Sequence, residues 1–227
     1  MNTTPVSTDL VDRLRRLDAC AVSDALERNG LPPAVVGLVP VGAPAALAGR
    51  VVTVELGKPN EQTTPRHLCT AAVDASGTGD VIVVANGGRI DCAGWGGLLS
   101  QAAALRDVDG VVVDGACRDV PEAREVNLPV YACAPVAVTA RGRVVERSWG
   151  EPVTIRGLLV QTGDLVKADA SGVAFIPRDS AEQVVATAEE IAAREAAMGA
   201  ALRAGVPVSK VMGADYEIML TKISDDE

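Results

Sequence analysis

The densest group of side chains able to do chemistry is Arg118, Asp119 and Glu122, in the segment GACRDVPEARE. Asp119 offers a hard carboxylate oxygen of the kind that holds Mg²⁺ or Mn²⁺ when waters and a substrate complete the shell. Arg118 beside it offers an always-charged fork for a carboxylate or an enolate oxygen. Glu122 lies three residues past Asp119 on an expected helix, where it either approaches the same site or is a first-turn carboxylate favoured by the helix dipole. Upstream, Gly94, Gly96 and Gly97 precede the helical stretch LLSQAAALRD. A helix starting near Gly97 leaves the N–H groups of Gly97, Leu98 and Leu99 free to converge on a carboxylate, helped by the positive end of the dipole. Trp95, among these glycines, either walls the pocket or anchors the core, and its place next to the turn favours the pocket. Spacing alone leaves a plain loop ion pair open as the alternative for Arg118 and Asp119.

Other candidates carry less. His67 is the one histidine of the chain; it reads as a surface or packing residue, and a histidine-rich zinc site is impossible. Cys117 lies beside Arg118 but has no histidine near it in sequence, so it reads as packing rather than as a nucleophile. Gly163-Asp164 and Asp169 to Gly172 read as turns.

The elements that would position these residues follow from periodicity. Helices are expected over Asp9 to Leu17 and Cys20 to Asn29, with Gly30 as the stop. A strand is expected over Leu47 to Leu56, and a helix from Thr64-Pro65 to about Ala75, with the hydroxyl as N-cap. DVIVVAN (Asp80 to Asn86) and GVVVD (Gly110 to Asp114) read as strands buried on both faces, separated by the Gly97 helix in a βαβ unit. Arg118 and Asp119 then lie just past the carboxyl end of the second strand, where open α/β sheets place ligands. Beyond Pro129 the strands PVYAC, PVTIRGLLV, LVKA and VAFIP suggest an antiparallel, sandwich-like half. Ser180 with Gln183 resembles a capping box before a long helix ending near Gly205.

The chain has 227 residues with 48% hydrophobic content, which suits one domain over residues 1–227, opened by helices in 1–30 and closed by a helical arm over 180–227. With aromatics at only 2%, small aliphatic side chains must fill the core at close backbone distances. A net charge of −9 repels phosphate backbones and argues against nucleic-acid binding. Five cysteines without a CxxC pair fit a reducing cytoplasm, and no apolar run nears the roughly 18 residues of a membrane span.

The run GDVIVVANGG followed by GWGGLLSQAAALRDVDGVVVDGACRDVPEAREVNLPVYA resembles the signature region of the RraA-like family. That family holds the 4-hydroxy-4-methyl-2-oxoglutarate and 4-carboxy-4-hydroxy-2-oxoadipate aldolases and their non-catalytic relatives that regulate ribonuclease E. AVSDALERNG, LAGRVVTV and GDLVKADASGVAFIP extend the resemblance over nearly the whole chain. It implies a swivelling β/β/α-type sandwich, a trimer or a dimer of trimers, and a class II pyruvate aldolase using Mg²⁺ or Mn²⁺ on a small 2-oxo acid, with oxaloacetate decarboxylation as a related activity. It assigns Arg118 to the pyruvate moiety, Asp119 to the metal and the Leu98 and Leu99 amides to the substrate carboxylate. A Glu from the neighbouring subunit's C-terminal helix reaches the metal through water, with Glu195 the candidate and Glu189 and Glu190 the alternatives. The aldolases carry an Asp-x20-Arg-Asp pattern, and the first position of that pattern is Gly97 here. Either Glu122 or Asp91 supplies the missing carboxylate, or the chain belongs to a branch with different or no aldolase activity, such as a regulator that binds a ribonuclease or another protein.

Overall fold

The computed structural model describes residues 8–59 and 66–213. In chain order it contains α1 (Thr8–Arg15), α2 (Ala19–Arg28), β1 (Val39–Pro40), β2 (Leu47–Gly57), α3 (Thr70–Ala75), β3 (Asp80–Trp95), α4 (Gly97–Ala104), β4 (Gly110–Cys117), α5 (Val120–Glu125) and β5 (Val130–Pro135). The second half adds β6 (Val145–Trp149), β7 (Val153–Ile155), β8 (Leu158–Val160), β9 (Leu165–Asp169), β10 (Gly172–Ile176), α6 (Ala181–Arg203) and α7 (Val208–Val211).

Eight strands form one mixed sheet in the order β1-β5-β4-β3-β2-β9-β10, with β6 also paired to β2. Strands β2 to β5 are mutually parallel, and β1, β6, β9 and β10 are antiparallel to their neighbours. A bridge between Val35 and Val173 joins the two edge regions, so the sheet nearly closes on itself. The strands alternate side chains between two apolar layers. Ile82 and Val84 of β3 point into the layer under α3, α4 and α5, while Val81 and Val83 point into the interior of the curved sheet with Val112, Tyr131 and Phe175. A third layer packs α1, α2 and α6 on β9 and β10. The α/β architecture with a central βαβ unit and a long C-terminal helix therefore stands as the sequence implies, and both central strands are buried on both faces.

Several local expectations need correction. The third helix begins at Thr70 rather than at Thr64-Pro65, which fall outside the described residues; its entry is Cys69, held in the left-handed region at φ 64°. Strand β3 does not stop at Asn86: the chain turns through Gly87 and Gly88, at φ 61° and 69°, and re-pairs with β4 in shifted register up to Trp95–Cys117. Strand β5 lies parallel to β4 and so belongs to the α/β half, not to the antiparallel one. PVTIRGLLV is a hairpin, because Arg156 and Gly157 both take positive φ, at 49° and 88°, as a tight type I′ turn requires. Ser180 makes no capping hydrogen bond; it ends a 3₁₀ turn over Arg178–Ser180 with ψ near 0°, not the extended backbone a cap needs. By contrast Asp18 does cap α2, accepting from Ala21 N–H at 2.8 Å.

Candidate active site

The site is assembled where two strand ends meet. Strand β3 ends at Trp95 and β4 at Cys117, and the N–H of Arg118 donates to the carbonyl of Trp95 at 3.0 Å, so the start of α4 and the Arg118-Asp119 corner face each other. A third wall comes from the segment after β5. Val136 N–H donates to Cys117 O at 2.9 Å and Ala93 N–H to Val138 O at 3.0 Å, which brings Thr139 and Arg141 alongside. Together with His67 these elements enclose a cavity of about 250 Å³ lined by Trp95, Gly96, Leu98, Arg118, Asp119 and Arg141, among others.

Asp119 adopts φ 56°, ψ 42°, a left-handed conformation that a short polar side chain tolerates, and this turns the chain from β4 into α5. Its Oδ2 accepts from Gly97 N–H at 3.1 Å, and both carboxylate oxygens accept from Arg118 Nε at 3.1 and 3.2 Å. The free-amide expectation for α4 is therefore corrected by one group: the N–H of Gly97 serves Asp119, leaving those of Leu98 and Leu99 at a helix start whose cap residue, Gly96, has no side chain. The side chains of Arg118 and Asp119 remain about one-third exposed to the cavity, and the terminal nitrogens of Arg118 carry no hydrogen bond to a protein group among the described residues.

The remaining candidates fall as follows. Trp95 borders the cavity, but its ring is buried and its Nε1–H donates to Ser100 Oγ at 2.9 Å, so it supports the turn from beneath. Glu122 lies against Gly97: a Cβ built on that glycine would stand 2.0 Å from Glu122 Oε2 and 3.0 Å from Asp119 Cβ. Gln101 Nε2 donates to Glu122 Oε2 at 3.0 Å. Asp91 is held in a fork by Arg89 at 2.7 and 2.9 Å, which keeps its carboxyl below the usual range, and it does not line the cavity. Glu195, on α6, does not line this chain's cavity; burial, then Asp18 and Asp24, raise its carboxyl above the usual range. Glu189 and Glu190 pair with Arg13 and Arg28. Burial, and secondarily Asp119, push the Cys117 thiol up to about 12, in keeping with packing rather than nucleophilic chemistry. Arg141 and Thr139 were not singled out in the sequence. They lie more than twenty residues beyond Arg118, and their only signal is tertiary.

Comparison with known proteins decides the lineage. The RraA-like model, Aldolase/RraA, matches residues 19–175. The chain belongs to the Aldolase/RraA family. Protein DlpA of Legionella pneumophila is 30% identical over 177 residues, 78% of this chain but only 29% of that longer protein. A family member of Halalkalibacterium halodurans named "Putative 4-hydroxy-4-methyl-2-oxoglutarate aldolase" is 26% identical over 182 residues, 80% of this chain and 83% of that one. Among solved structures, an uncharacterized protein of Pseudomonas syringae superposes with a TM-score of 0.83 at 26% identity, covering 93% of this chain and all of that one.

A divalent metal fits the residues present. Asp119 lines the cavity with its side chain about one-third exposed, and an Mg²⁺ or Mn²⁺ ion can take a single protein carboxylate while keeping waters and substrate oxygens. A closed zinc site does not fit, since no cluster of three His, Cys, Asp or Glu residues exists among the described residues. No described helix is long and apolar enough to cross a membrane.

Proposed function

We propose that this chain is a divalent-metal-dependent lyase that cleaves 4-hydroxy-2-oxo acids, such as 4-hydroxy-4-methyl-2-oxoglutarate, to pyruvate, with oxaloacetate decarboxylation available to the same site. The observation that carries the reading is the meeting of Arg118 and Asp119 with the uncapped start of α4 in one cavity. The family relationship to chains named as aldolases supports it.

Each residue then has a chemical task. The amides of Leu98 and Leu99, with the α4 dipole, hold the substrate's C1 carboxylate. The terminal nitrogens of Arg118 bind the C2 oxygen, where negative charge accumulates as the C3–C4 bond breaks. Nε of the same residue holds Asp119, which fixes the guanidinium plane and leaves its outer edge for the substrate. Asp119 is the residue that would hold the metal. When bound, such an ion supplies Lewis-acid polarisation of the 2-oxo acid. Glu195 of a neighbouring copy in a trimer or hexamer would complete the metal's surroundings. Among the described residues it has no ion-pair partner, unlike Glu189 and Glu190, which supports that choice. A cytoplasmic setting suits the free cysteines.

The test is pyruvate release from 4-hydroxy-4-methyl-2-oxoglutarate and from oxaloacetate with Mg²⁺, with Mn²⁺ and with chelator. Metal-dependent release that is lost in Asp119→Asn is expected. No release from either substrate would overturn the lyase assignment and favour a protein that acts by binding a partner.

A further inference from the structure

Breaking the C3–C4 bond of a 4-hydroxy-2-oxo acid requires a group that takes the 4-hydroxyl proton, and the carboxylates near the cavity differ in whether they are free to do so. Asp119 is already neutralised by Arg118 and bonded by Gly97 N–H. Asp91 is neutralised by Arg89. Glu146 is buried and engaged by Arg66 and by Cys69 N–H. The side chain of Glu122 has one hydrogen-bond partner among the described residues, the neutral carboxamide of Gln101. It lines a neighbouring groove with Gln101 rather than the cavity itself, and its Oε2 abuts Gly97, a residue of the cavity wall.

Its position depends on an absence. A Cβ on residue 97 would stand 2.0 Å from Oε2 and 2.4 Å from Cδ of Glu122, far inside any real contact. The backbone of Gly97 does not need glycine, since it is the first residue of α4 and its φ is not in the left-handed region. What glycine provides there is room, and the carboxylate of Glu122 fills it.

We propose that Glu122 is the proton-accepting carboxylate of this site and that Gly97 is the residue whose missing side chain admits it. This rests on the lyase reading above. The carboxylate takes the 4-hydroxyl proton as the C3–C4 bond breaks, C4 leaves as the carbonyl of the second product, and the electron pair passes to the C2 oxygen as the pyruvate enolate. The proton on Glu122 then returns to C3 and gives the methyl group of pyruvate, so no further reactant is needed.

The experiment compares the full-length wild type with Glu122→Gln, Gly97→Ala, Glu122→Gly, Gly97→Asp and Gly97→Asp/Glu122→Gly. It measures kcat and KM for pyruvate release from 4-hydroxy-4-methyl-2-oxoglutarate, Mn²⁺ affinity by calorimetry, and melting temperature. Glu122→Gln keeps the bond to Gln101 and should lower kcat by about 100-fold or more, the usual worth of a general base, with KM and Mn²⁺ affinity changed only a few-fold. Gly97→Ala should lose activity comparably at a near-wild-type melting temperature, since alanine favours a helix and the atoms its Cβ crowds most are the flexible end of Glu122, with Asp119 Cβ next at 3.0 Å. Gly97→Asp/Glu122→Gly should recover much of the activity that Glu122→Gly loses, because it returns a carboxylate to the same space. Near-normal kcat in Glu122→Gln, wild-type activity in Gly97→Ala, or Mn²⁺ affinity falling in step with kcat would each overturn the assignment. A wild type that releases no pyruvate would instead overturn the lyase reading and remove the proton-accepting role with it. The melting temperatures then still decide the spatial claim, which requires Gly97→Asp to cost more stability in the presence of Glu122 than in the Glu122→Gly background.

Discussion

Removing the carboxylate of Glu146 tests how the wall of the cavity is held. Glu146, on β6, is 1% exposed at its side chain. Its Oε2 accepts from the N–H of buried Cys69 at 2.7 Å, and its Oε1 accepts from the Arg66 guanidinium at 2.6 Å. Cys69 is the left-handed residue that starts α3, and it follows His67 and Leu68 of the cavity wall, so one carboxylate fixes that corner. In Glu146→Ala the Arg66 interaction contributes little, since Arg66 is 44% exposed. The larger loss is the charged hydrogen bond to Cys69 and the stranding of a buried N–H, together about 3 kcal/mol. For a chain of this size that corresponds to a fall in melting temperature of roughly 6 to 12 °C. Glu146→Gln keeps an acceptor and the volume and should cost about 1 kcal/mol. Urea unfolding followed by tryptophan fluorescence reads both, because Trp95 is buried in the same apolar layer. A Glu146→Ala variant within about 0.5 kcal/mol of wild type, the range of ordinary surface substitutions, would refute the reasoning.

Arg118→Ala should lower kcat/KM for pyruvate release by about 100-fold or more, roughly 3 kcal/mol of transition-state stabilisation; a near-normal rate would remove Arg118 from the reaction. Burial, and secondarily Glu146 and Asp119, raise the thiols of Cys69 and Cys117, the latter to about 12. Both thiols thus stay protonated in the fold after the unfolded chain begins to ionise near its ordinary value of about 8.5. Their contribution to stability is complete below that pH and is lost as the pH climbs through the folded values, so urea midpoints should fall between pH 8 and 11, less steeply in Cys117→Ala. A flat profile over that range would contradict the burial of these thiols. In the native protein a thiol reagent should modify exposed Cys20 quickly, while Cys69, Cys92 and Cys117 should react only on unfolding.

How much of this molecule could be read from the chain itself follows from which interactions are local. The runs VIVV and GVVV declare strands buried on both faces because period and β-branching are properties of consecutive residues, and the Gly-rich start of α4 and the Arg118-Asp119 corner were legible for the same reason. The fates of those groups were not. Whether Gly97 N–H faces a ligand or a carboxylate depends on where Asp119 arrives, twenty-two residues later, through a left-handed turn that sequence does not mark. Arg141 and His67 enter the cavity wall by way of strand pairing and loop hydrogen bonds between distant segments. The shift of β3 past Gly87 and Gly88 depends on the neighbouring strand as much as on the glycines. By itself the sequence determined the alternation of elements, the lineage and the chemical types at the site, because these are carried by side chains and their spacing. Only the tertiary structure decided that Glu122 occupies the space beside Gly97, because that is a matter of distance between residues the chain keeps apart.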